Sequence, residues 1–478
     1  MKAVGLMTNH IIVNTMDRLL IAKVKWHNHP VLHDLELDFC NSAGEPYDNI
    51  ILAGENGSGK TSILVSLAGI IQGGPLSKIE YLDYSVDGKS YRATPVVDAN
   101  QVNLGWYQMT DLQTGEHSVI HFGRGQDGRS TYGEVALLER DYNLRRFGCC
   151  LSKARSDFQT GRISSTTAMS TDTSLNNIDN SNDFTPLKQL LVDIESQDNT
   201  EYRKMNRARA NNPLTEEQFY MQHSKMYRFS NAYNLFFDRI VYRGVEDRNG
   251  EKTILFSKLG EEISIDSMST GEKQIVFRGA YILSNVKKTS VAMVDEPEIS
   301  MHPKWQDKIL AYYQTLFMDS TNKQVAQLFF ATHSDYVVKN ALKDKVRNLV
   351  VVLKDKNGTI EPTRVDAPSK LSVITAAETN YLAFGICSVD YHIELFAALQ
   401  QRRGSVDLKA VDQQILSSPV YDPTKHSKPF VCVDAKGVKH EDKTLPVYIR
   451  NGIDHPESGR TYTVEELRIS IELLRDLL

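Results

Sequence analysis

Residues 54–62 constrain the fold more than any other part of the chain, and they read GENGSGKTS. The segment satisfies the pattern G-x-x-x-x-G-K-[ST], in which glycines let the backbone turn tightly and point its N–H groups at a phosphate. An apolar run at residues 50–53 precedes it, and residues 62–68 are compatible with a helix. This strand–loop–helix order predicts an α/β domain with a phosphate-binding loop. The alternative is a glycine-rich turn with a chance Lys-Thr pair.

The side chains of this segment, which we call the phosphate loop, have expected roles. Lys60 is expected to contact the β- and γ-phosphates of a nucleotide, and Thr61 to bind Mg²⁺. The N-terminus of the following helix adds a favourable field for anionic phosphate. The other predicted nucleotide contacts of the loop are Gly54, Asn56, Gly57, Ser58, Gly59 and Ser62. The expected ligands are therefore ATP and Mg²⁺.

Two further apolar runs end in residues that suit phosphate chemistry. Residues 291–294 lead to Asp295 and Glu296, and residues 328–332 lead to His333. The first pair resembles a Walker B element, in which Asp295 binds Mg²⁺ and Glu296 acts as general base. The pair could instead cap the next helix. His333 resembles the switch histidine that senses the γ-phosphate, although a lone His is more often structural.

Residues 267–274, SMSTGEKQ, resemble the signature motif of ABC-type ATPases. Ser269, Gly271 and Glu272 lie where a helix is expected to start, and a Ser side chain with backbone N–H groups at a helix N-terminus makes an anion site. In ABC-type ATPases this anion is the γ-phosphate held by the opposite subunit, so the motif predicts a head-to-tail dimer that encloses two ATP molecules. An ordinary Ser/Thr N-cap is the alternative.

The four motifs, in this order, resemble the head of an ABC-type ATPase. The predicted fold class is α/β: a mixed sheet around the phosphate loop, an antiparallel β lobe, an inserted helical lobe and a mainly α-helical C-terminal region. Lys60, Glu296 and His333 are the expected catalytic residues. Gln101 and Gln108 are candidates for the Q-loop, and the turn at residues 25–29 is the expected region of adenine contact.

The domain organisation follows from shifts in composition along the chain. We expect a flexible leader at residues 1–18, an ATPase domain at 19–355, and a C-terminal partner-binding or assembly domain at 356–478. Within the ATPase domain, residues of about 150–260 are expected to form an inserted helical region. Residues 164–183, rich in Ser, Thr, Asn and Asp, are expected to form a mobile loop.

The inserted region carries basic residues among Tyr and Phe, a pattern that can contact DNA, although a solvated helix fits at least as well. The basic residues are Arg203, Lys204, Arg207, Arg209, Lys225 and Arg228. The formal net charge of the whole chain is −5, which does not indicate nucleic-acid binding by the chain as a whole. No apolar run approaches 18 residues, and the five cysteines include no C-x-x-C, so we expect no membrane span and a cytoplasmic setting.

A family resemblance adds to this interpretation. The stretches DEPEISMHPKWQ and ATHS resemble the ATPases of bacterial antiphage systems, including the OLD-like and Septu groups. The stretches ETNYLAFG, YHIELF and YIRNGIDHPE resemble PtuA-like Septu ATPases in particular. The resemblance implies a homodimer or higher homo-oligomer that controls a separate, PtuB-like HNH nuclease and contacts DNA through that complex. No D-x-D follows His333, so the Toprim nuclease of OLD-like ATPases is not expected here.

Two other functions stay open from the sequence. Arg450, Asn451 and His455 satisfy the R-N-x-x-x-H pattern of HEPN ribonucleases, which would make the chain a self-contained toxin. Gly452 and Pro456 are poor residues for the long helix in which that pattern belongs, which favours a structural role. The basic, aromatic-rich insertion leaves a repair-type ATPase that binds DNA ends as the third reading.

Overall fold

The computed structural model describes twelve stretches of the chain, which are residues 18–96, 106–120, 143–144, 147–154, 176–178, 185–209, 212–284, 291–319, 323–365, 369–404, 407–433 and 439–478. Three expectations lie outside these residues: the leader apart from its last residue, Gln101, and the loop at 164–183 apart from residues 176–178.

The described chain contains 18 strands and 13 α-helices, which alternate between residues 270 and 356 and elsewhere occur in runs. The strands are β1 Leu19–Trp26, β2 Glu36–Asp38, β3 Asn49–Ala53, β4 Ile79–Val86, β5 Lys89–Pro95, β6 Tyr107–Asp111, β7 His117–Ile120, β8 Cys149–Ser152, β9 Asn176–Ile178, β10 Ile240–Arg248, β11 Glu251–Lys258, β12 Glu261–Ser264, β13 Val291–Asp295, β14 Gln327–Thr332, β15 Asn348–Lys356, β16 Thr359–Arg364, β17 Ser427–Val433 and β18 Lys439–Thr444. The α-helices are α1 Lys60–Ile71, α2 Thr185–Ala208, α3 Glu216–His223, α4 Lys225–Phe236, α5 Thr270–Ser284, α6 Pro303–Leu316, α7 Asp335–Lys343, α8 Ala376–Phe384, α9 Val389–Arg403, α10 Leu408–Leu416, α11 Pro423–His426, α12 Leu445–Asp454 and α13 Val464–Leu477.

A seven-stranded sheet in the order β16-β15-β3-β14-β13-β8-β9 forms the centre of the molecule. Its strands run parallel, except that β16 pairs antiparallel with β15. The apolar run at residues 50–53 lies in β3 and is buried on both faces of the sheet, as expected of a strand covered on two sides. Because β3, β13 and β14 are parallel neighbours, the residues at their carboxyl ends meet at one edge of the sheet.

A second sheet, with six antiparallel strands in the order β2-β1-β4-β5-β6-β7, covers one face of the central sheet. Asp87-Gly88 joins β4 to β5 in a tight hairpin, and both residues have positive φ angles, 48° and 80°. Trp26 of β1 and Ile63 and Leu67 of α1 are fully buried in the core between the two sheets. This lobe therefore holds the helix that follows the phosphate loop.

Helices α2, α4, α5, α6 and α7 pack on the opposite face of the central sheet and enclose a second core, which we call the head core. A capping box formed by Thr215 and Gln218 begins α3. The expectation of a helical region at about residues 150–260 is too broad, because residues 240–264 form the antiparallel strands β10, β11 and β12. Asn249-Gly250, both at positive φ, forms a two-residue hairpin turn, which is a strong strand signal.

The C-terminal region packs around a separate core, which we call the tail core. It contains α9, α10, α12 and α13 together with the hairpin β17–β18, so it is mainly helical. The expected domain boundary at residue 355 cuts through the β15–β16 hairpin, in which Val351 pairs with Arg364. Strand β16 therefore belongs to the central sheet, which extends to residue 364.

The described architecture confirms the predicted fold class. It has a mixed sheet around the phosphate loop, an antiparallel β lobe, an inserted lobe rich in helices and a mainly helical C-terminal region. Within the described stretches no single helix has the length and apolarity to cross a membrane, whereas α8 and α9, bent by 115°, pass that test only as a pair and only by length and composition.

Candidate functional site

The phosphate loop takes a conformation that depends on its glycines. Gly54 and Gly59 have φ angles of 150° and 85°, which L side chains rarely adopt. A Cβ on Gly54 would lie 2.4 Å from the backbone oxygen of Leu353, and one on Gly59 would lie 2.4 Å from Cδ1 of Ile360. The backbone of β15 therefore leaves no room for a side chain at Gly54, and at Gly59 the positive φ disfavours any other residue while Ile360 of β16 packs close by.

Lys60 is held inside the loop. Its Nζ donates hydrogen bonds to the backbone oxygens of Gly54 (2.8 Å) and Glu55 (2.7 Å). Burial lowers the pKa of Lys60, and the carboxylates of Glu296 and Asp295 oppose that shift. The ammonium group is thus encircled by the loop backbone and faces an acidic cluster, a position from which it can reach the oxygens of a bound phosphate chain.

Thr61 and Asp295 come together although 234 residues separate them. The Thr61 Oγ1 donates to the Asp295 carboxylate, at 3.0 Å from Oδ2 and 3.2 Å from Oδ1. Burial raises the pKa of Asp295, and the hydrogen bond from Thr61 opposes the rise. A hydroxyl and a carboxylate oxygen are hard donors that suit Mg²⁺, which takes its other ligands from water and phosphate. These two residues fit the metal role predicted for them.

Arg278 of α5 fixes the end of β13, and sequence reasoning missed it. Its guanidinium donates to the backbone oxygens of Asp295 (2.5 Å) and Glu296 (2.8 Å). It also bonds to Oγ and the backbone oxygen of Ser152 at the end of β8. The signal in the sequence was a lone charge within the apolar run at residues 275–283. Arg278 therefore fixes the backbone of Asp295 and Glu296 from the side of α5.

Glu296, His333 and Glu298 form the acidic side of the site. Glu296 has a φ of 46°, and its N–H donates to the Ala331 oxygen at 2.8 Å. The His333 Nδ1 lies 3.7 Å from an oxygen of Glu296 and 3.7 Å from an oxygen of Glu298. Glu298, also missed from the sequence, is buried, and its Oε1 accepts from Thr332 Oγ1 and from the His333 N–H. Burial raises the pKa of Glu298.

The predicted signature residues lie at the N-terminus of α5. The Ser269 N–H donates to Glu272 Oε2 at 2.8 Å, and the Glu272 N–H donates to Ser269 Oγ at 3.4 Å, which forms a capping box. Lys258 holds the Glu272 carboxylate at 2.9 Å. A Cβ on Gly271 would lie 3.0 Å from the Ser300 oxygen. Across the described part of the chain, no hydrogen bond or ion pair joins residues 269–272 to residues 54–62.

A cavity of about 370 Å³ lies beside the first turns of α1. Thr61 and Ser62 line it at the loop end, and His29 and Lys78 line it at the end that faces the turn after β1. Val65 and Ile70 supply apolar wall between them. An apolar cavity with a few polar groups suits a nucleoside. The cavity therefore lies in the region where adenine contact was expected.

The ribonuclease-like pattern in the tail is occupied by contacts within its own chain. Arg450 forms an ion pair with Asp454 at 2.7 Å, and the Asn451 amide donates to Asp442 at 2.8 Å. Helix α12 ends at Asp454, so His455 lies beyond it as the C-cap residue. Arg450 also donates to Asn451 Oδ1 at 3.0 Å, whereas the His455 Nδ1 lies 3.6 Å from Glu457 Oε1.

The basic residues of the insertion are divided between surface and interior. Arg203, Lys204 and Arg207 are exposed on α2. Lys225, which opens α4, is only 3% exposed and is therefore not available to a phosphate backbone. The exposed residues lie on one helix, and they remain the candidates for DNA contact.

Several solved structures resemble this chain. The SMC head domain from Thermotoga maritima is 14% identical and covers 73% of this chain and 100% of its own, with a TM-score of 0.34. The Smc head domain with an extended coiled coil bound to the C-terminal domain of ScpA, from Pyrococcus furiosus, is 12% identical and covers 73% and 96%, with a TM-score of 0.36. The recombination mediator RecF with ATPγS is 12% identical and covers 72% and 98%, with a TM-score of 0.31.

No curated protein matches the chain. A family model does, and it is described as "AAA domain, putative AbiEii toxin, Type IV TA system". The match runs from residue 50 to residue 339 and so includes the phosphate loop, the signature segment, Asp295, Glu296 and His333. Since this is more than half of the 478 residues, the chain belongs to this AAA_21 family of ATPase domains.

Proposed function

We propose that this chain binds ATP with Mg²⁺ in the phosphate loop and hydrolyses it in a site that two copies of the chain complete. The observation that carries the proposal is the hydrogen bond between Thr61 and Asp295. The Lys60 ammonium faces the carboxylates of Asp295 and Glu296. Two segments, the phosphate loop and the end of β13, thereby place a cation, a hydroxyl and a carboxylate at one edge of the central sheet. This is the donor set that a Mg²⁺-bound phosphate chain requires.

The roles of the residues follow from their positions. Lys60 and the loop N–H groups bind the phosphates, and Thr61 and Asp295 hold Mg²⁺, which when bound neutralises charge on the phosphate oxygens. Glu296 orients and deprotonates the attacking water as general base. His333 lies between Glu296 and Glu298, contacts the γ-phosphate and so acts as the sensor of that group. Arg278 keeps the two carboxylates in place through their backbone oxygens.

Ser269, Gly271 and Glu272 act on the phosphate loop of a second copy. The N-terminus of α5 presents backbone N–H groups and the Ser269 hydroxyl, which together suit a γ-phosphate. Glu272 serves this role indirectly, because its carboxylate holds the Ser269 N–H and is itself held by Lys258. The proposed assembly is a head-to-tail homodimer with two ATP molecules, and higher oligomers build on that dimer.

In its host the chain is the regulatory ATPase of an antiphage complex, and a separate HNH nuclease attacks the nucleic acid. The resemblance of its motifs to PtuA-like Septu ATPases supports this, and so does a family description that names a toxin system. The tail supplies the partner-binding surface, and DNA is reached through the complex. A tagged chain recovered from its host should bring down a small HNH protein in fixed ratio, and recovery of a pure homo-oligomer would contradict this role.

A self-contained toxin is the weaker alternative. The R-N-x-x-x-H pattern motivates it, but Arg450 and Asn451 are engaged with Asp454 and Asp442 inside the chain. Loss of cellular toxicity on His455→Ala would revive it.

The decisive test of the ATPase is a pair of variants. Lys60→Ala removes the only side-chain cation of the loop, so we expect Mg²⁺-ATP binding to be lost. Glu296→Gln keeps the loop and the metal ligands, so binding should persist while hydrolysis falls by roughly 10²- to 10⁴-fold. Equilibrium binding of a fluorescent ATP analogue and phosphate release measure the two steps separately. Unchanged binding in Lys60→Ala would overturn the proposal.

A further inference from the structure

Helix α8 belongs to two hydrophobic cores at once. Ala383 is 1% exposed within the head core, and Phe384 packs against the same core. Ala377 and Tyr381, on the earlier turns, pack against the tail core. Since buried cores are close-packed and transmit small displacements, a helix shared by two cores is a mechanical link between them.

The C-terminal end of α8 also reaches the phosphate loop. A cavity of about 300 Å³ is lined by Gly54, Glu55 and Asn56 of the loop, by His333 and Asp335, and by Asn380, Phe384 and Ile386 at the end of α8. Gly385, with a φ of 67°, ends the helix and turns Ile386 toward this cavity. The tail therefore places side chains beside the phosphate loop and beside His333, the proposed sensor of the γ-phosphate.

The other end of the link is a buried ionic contact in the tail. Glu378 of α8 is fully buried and accepts hydrogen bonds from the Lys370 N–H (3.0 Å) and the Tyr391 hydroxyl (3.3 Å). Its carboxylate lies 3.8 Å from the guanidinium of Arg475 on α13. Breaking a buried carboxylate contact of this kind is costly, so α8 moves together with α9 and α13.

The loop has a reason to move when a nucleotide binds. Lys60 Nζ is bonded to the oxygens of Gly54 and Glu55, and both residues line the cavity at the end of α8. When the ammonium turns to phosphate oxygens, these two carbonyl groups lose their donor and residues 54–56 must adjust. Because Asn380, Phe384 and Ile386 line the same cavity, a shift of residues 54–56 changes their contacts with these three side chains.

We propose that α8 couples nucleotide binding in the phosphate loop to the conformation of the tail, residues 369–478, with Asn380, Phe384 and Ile386 as the contact to the loop and Glu378 as the contact to Arg475. The inference rests on the proposed ATP site and adds its route of regulation. According to this inference, the conformation of the tail depends on whether the phosphate loop of the same chain holds ATP. This dependence does not require the composite site between two copies.

The test is hydrogen exchange of the full chain in the Glu296→Gln background, with and without Mg²⁺-ATP, read in peptides from α9 and α13. Binding of Mg²⁺-ATP should slow exchange in these peptides severalfold. Adding Ile386→Ser or Asn380→Ala should abolish that response while ATP affinity stays within about threefold of the parent. The matched control is Ile393→Ser on α9, an exposed isoleucine away from the cavity, which should keep both the affinity and the response.

The outcomes separate this inference from the proposed function. If the parent does not bind Mg²⁺-ATP, the proposed function fails, and the coupling fails with it. If it binds while exchange in α9 and α13 is unchanged, the ATP site stands and the coupling is refuted. A response that survives in both Ile386→Ser and Asn380→Ala also refutes it. Loss of the response in Ile393→Ser as well would assign the effect to general disturbance of the tail and would overturn the route through α8.

Discussion

Glu298 is a buried acid that contacts His333. It is 3% exposed, and its Oε1 accepts two hydrogen bonds, whereas Oε2 has no partner among the described atoms. Burial favours the neutral carboxyl and so raises the pKa of Glu298. An acid whose pKa is raised on folding supports stability below its unfolded pKa, and that support is lost as the pH rises through the folded value.

We therefore predict that Glu298→Gln stabilises the protein at pH 8 and has little effect at pH 4.5. The amide keeps an acceptor for Thr332 and His333 and removes a buried charge, a gain of about 1 kcal/mol. Urea denaturation at the two pH values measures it, and Glu116→Gln on an exposed turn is the control. Equal stability changes at both pH values would contradict the assigned environment.

The same variant, Glu298→Gln, should slow ATP hydrolysis, because the carboxylate beside His333 is gone.

Residue-level prediction from the sequence is strongest where the chemistry is local in the chain. The phosphate loop spans nine consecutive residues, so one pattern specified its glycines, Lys60 and Thr61. Arg278 and Glu298 act through distant partners, since Arg278 bonds to Ser152 across 126 residues and Glu298 bonds to Thr332 across 34 residues. Such pairings depend on strand order in the central sheet, which no local pattern carries.

At the scale of elements, the contact between α9 and α13 contains a buried histidine. His392 is fully buried, and its Nε2 lies 2.9 Å from Ser470 Oγ. Burial lowers the pKa of His392 to about 3. A histidine with a lowered folded pKa contributes stability above its unfolded pKa of about 6.5, and loses it as the pH falls below that value.

We predict that the α9–α13 contact weakens on acidification because of His392. Between pH 7 and pH 5 the loss should be about 2 kcal/mol, since each pH unit below the unfolded pKa costs about 1.4 kcal/mol. Hydrogen exchange in α13, corrected for the intrinsic effect of pH, should show this loss in the wild type and a much smaller one in His392→Gln. His455→Gln, at an exposed histidine of the same region, should behave like the wild type. An equal loss in His392→Gln would contradict the prediction.

Element prediction failed where composition was weighed above turn chemistry. The region from 150 to 260 was expected to be helical because of α2–α4, yet Asn249-Gly250 turns β10 back on β11. The boundary at residue 355 had the same cause, since Asn357-Gly358 joins β15 and β16 inside one sheet. Both dipeptides populate positive φ and suit tight hairpins, so the signal was present. The pairing of β16 with the central sheet was not visible from the sequence.

At the scale of the whole molecule, three cores meet around the phosphate loop. The head core and the core under the antiparallel lobe share the strands of the central sheet, and α8 joins the head core to the tail core. The phosphate loop thus lies where the central sheet, the β15–β16 hairpin and the end of α8 converge. This arrangement connects the phosphate loop to its own lobes and to the tail, and in the proposed dimer the signature segment adds a connection to a second copy.

The connection to a second copy leads to a test with two inactive variants. Lys60→Ala disables a loop and leaves its signature segment intact, and Ser269→Arg does the reverse. Neither variant alone should hydrolyse ATP, since every site in each homodimer has one damaged half. A 1:1 mixture forms heterodimers in which one of the two sites joins an intact loop to an intact signature, so activity should return to about a quarter of wild type.

Phosphate release from the separate and mixed variants measures this, after subunit exchange has been verified by native mass spectrometry. A mixture of Lys60→Ala with Glu296→Gln is the matched control, because both changes damage the same half of the site. In that mixture the one loop that binds ATP lacks its general base, so activity should stay low. If the mixture of Lys60→Ala with Ser269→Arg shows no recovery after verified exchange, or if Ser269→Arg alone has wild-type activity, the head-to-tail dimer is not the unit of hydrolysis. Recovery in the control would show that the rescue does not depend on pairing an intact loop with an opposite signature segment, which would also contradict the prediction.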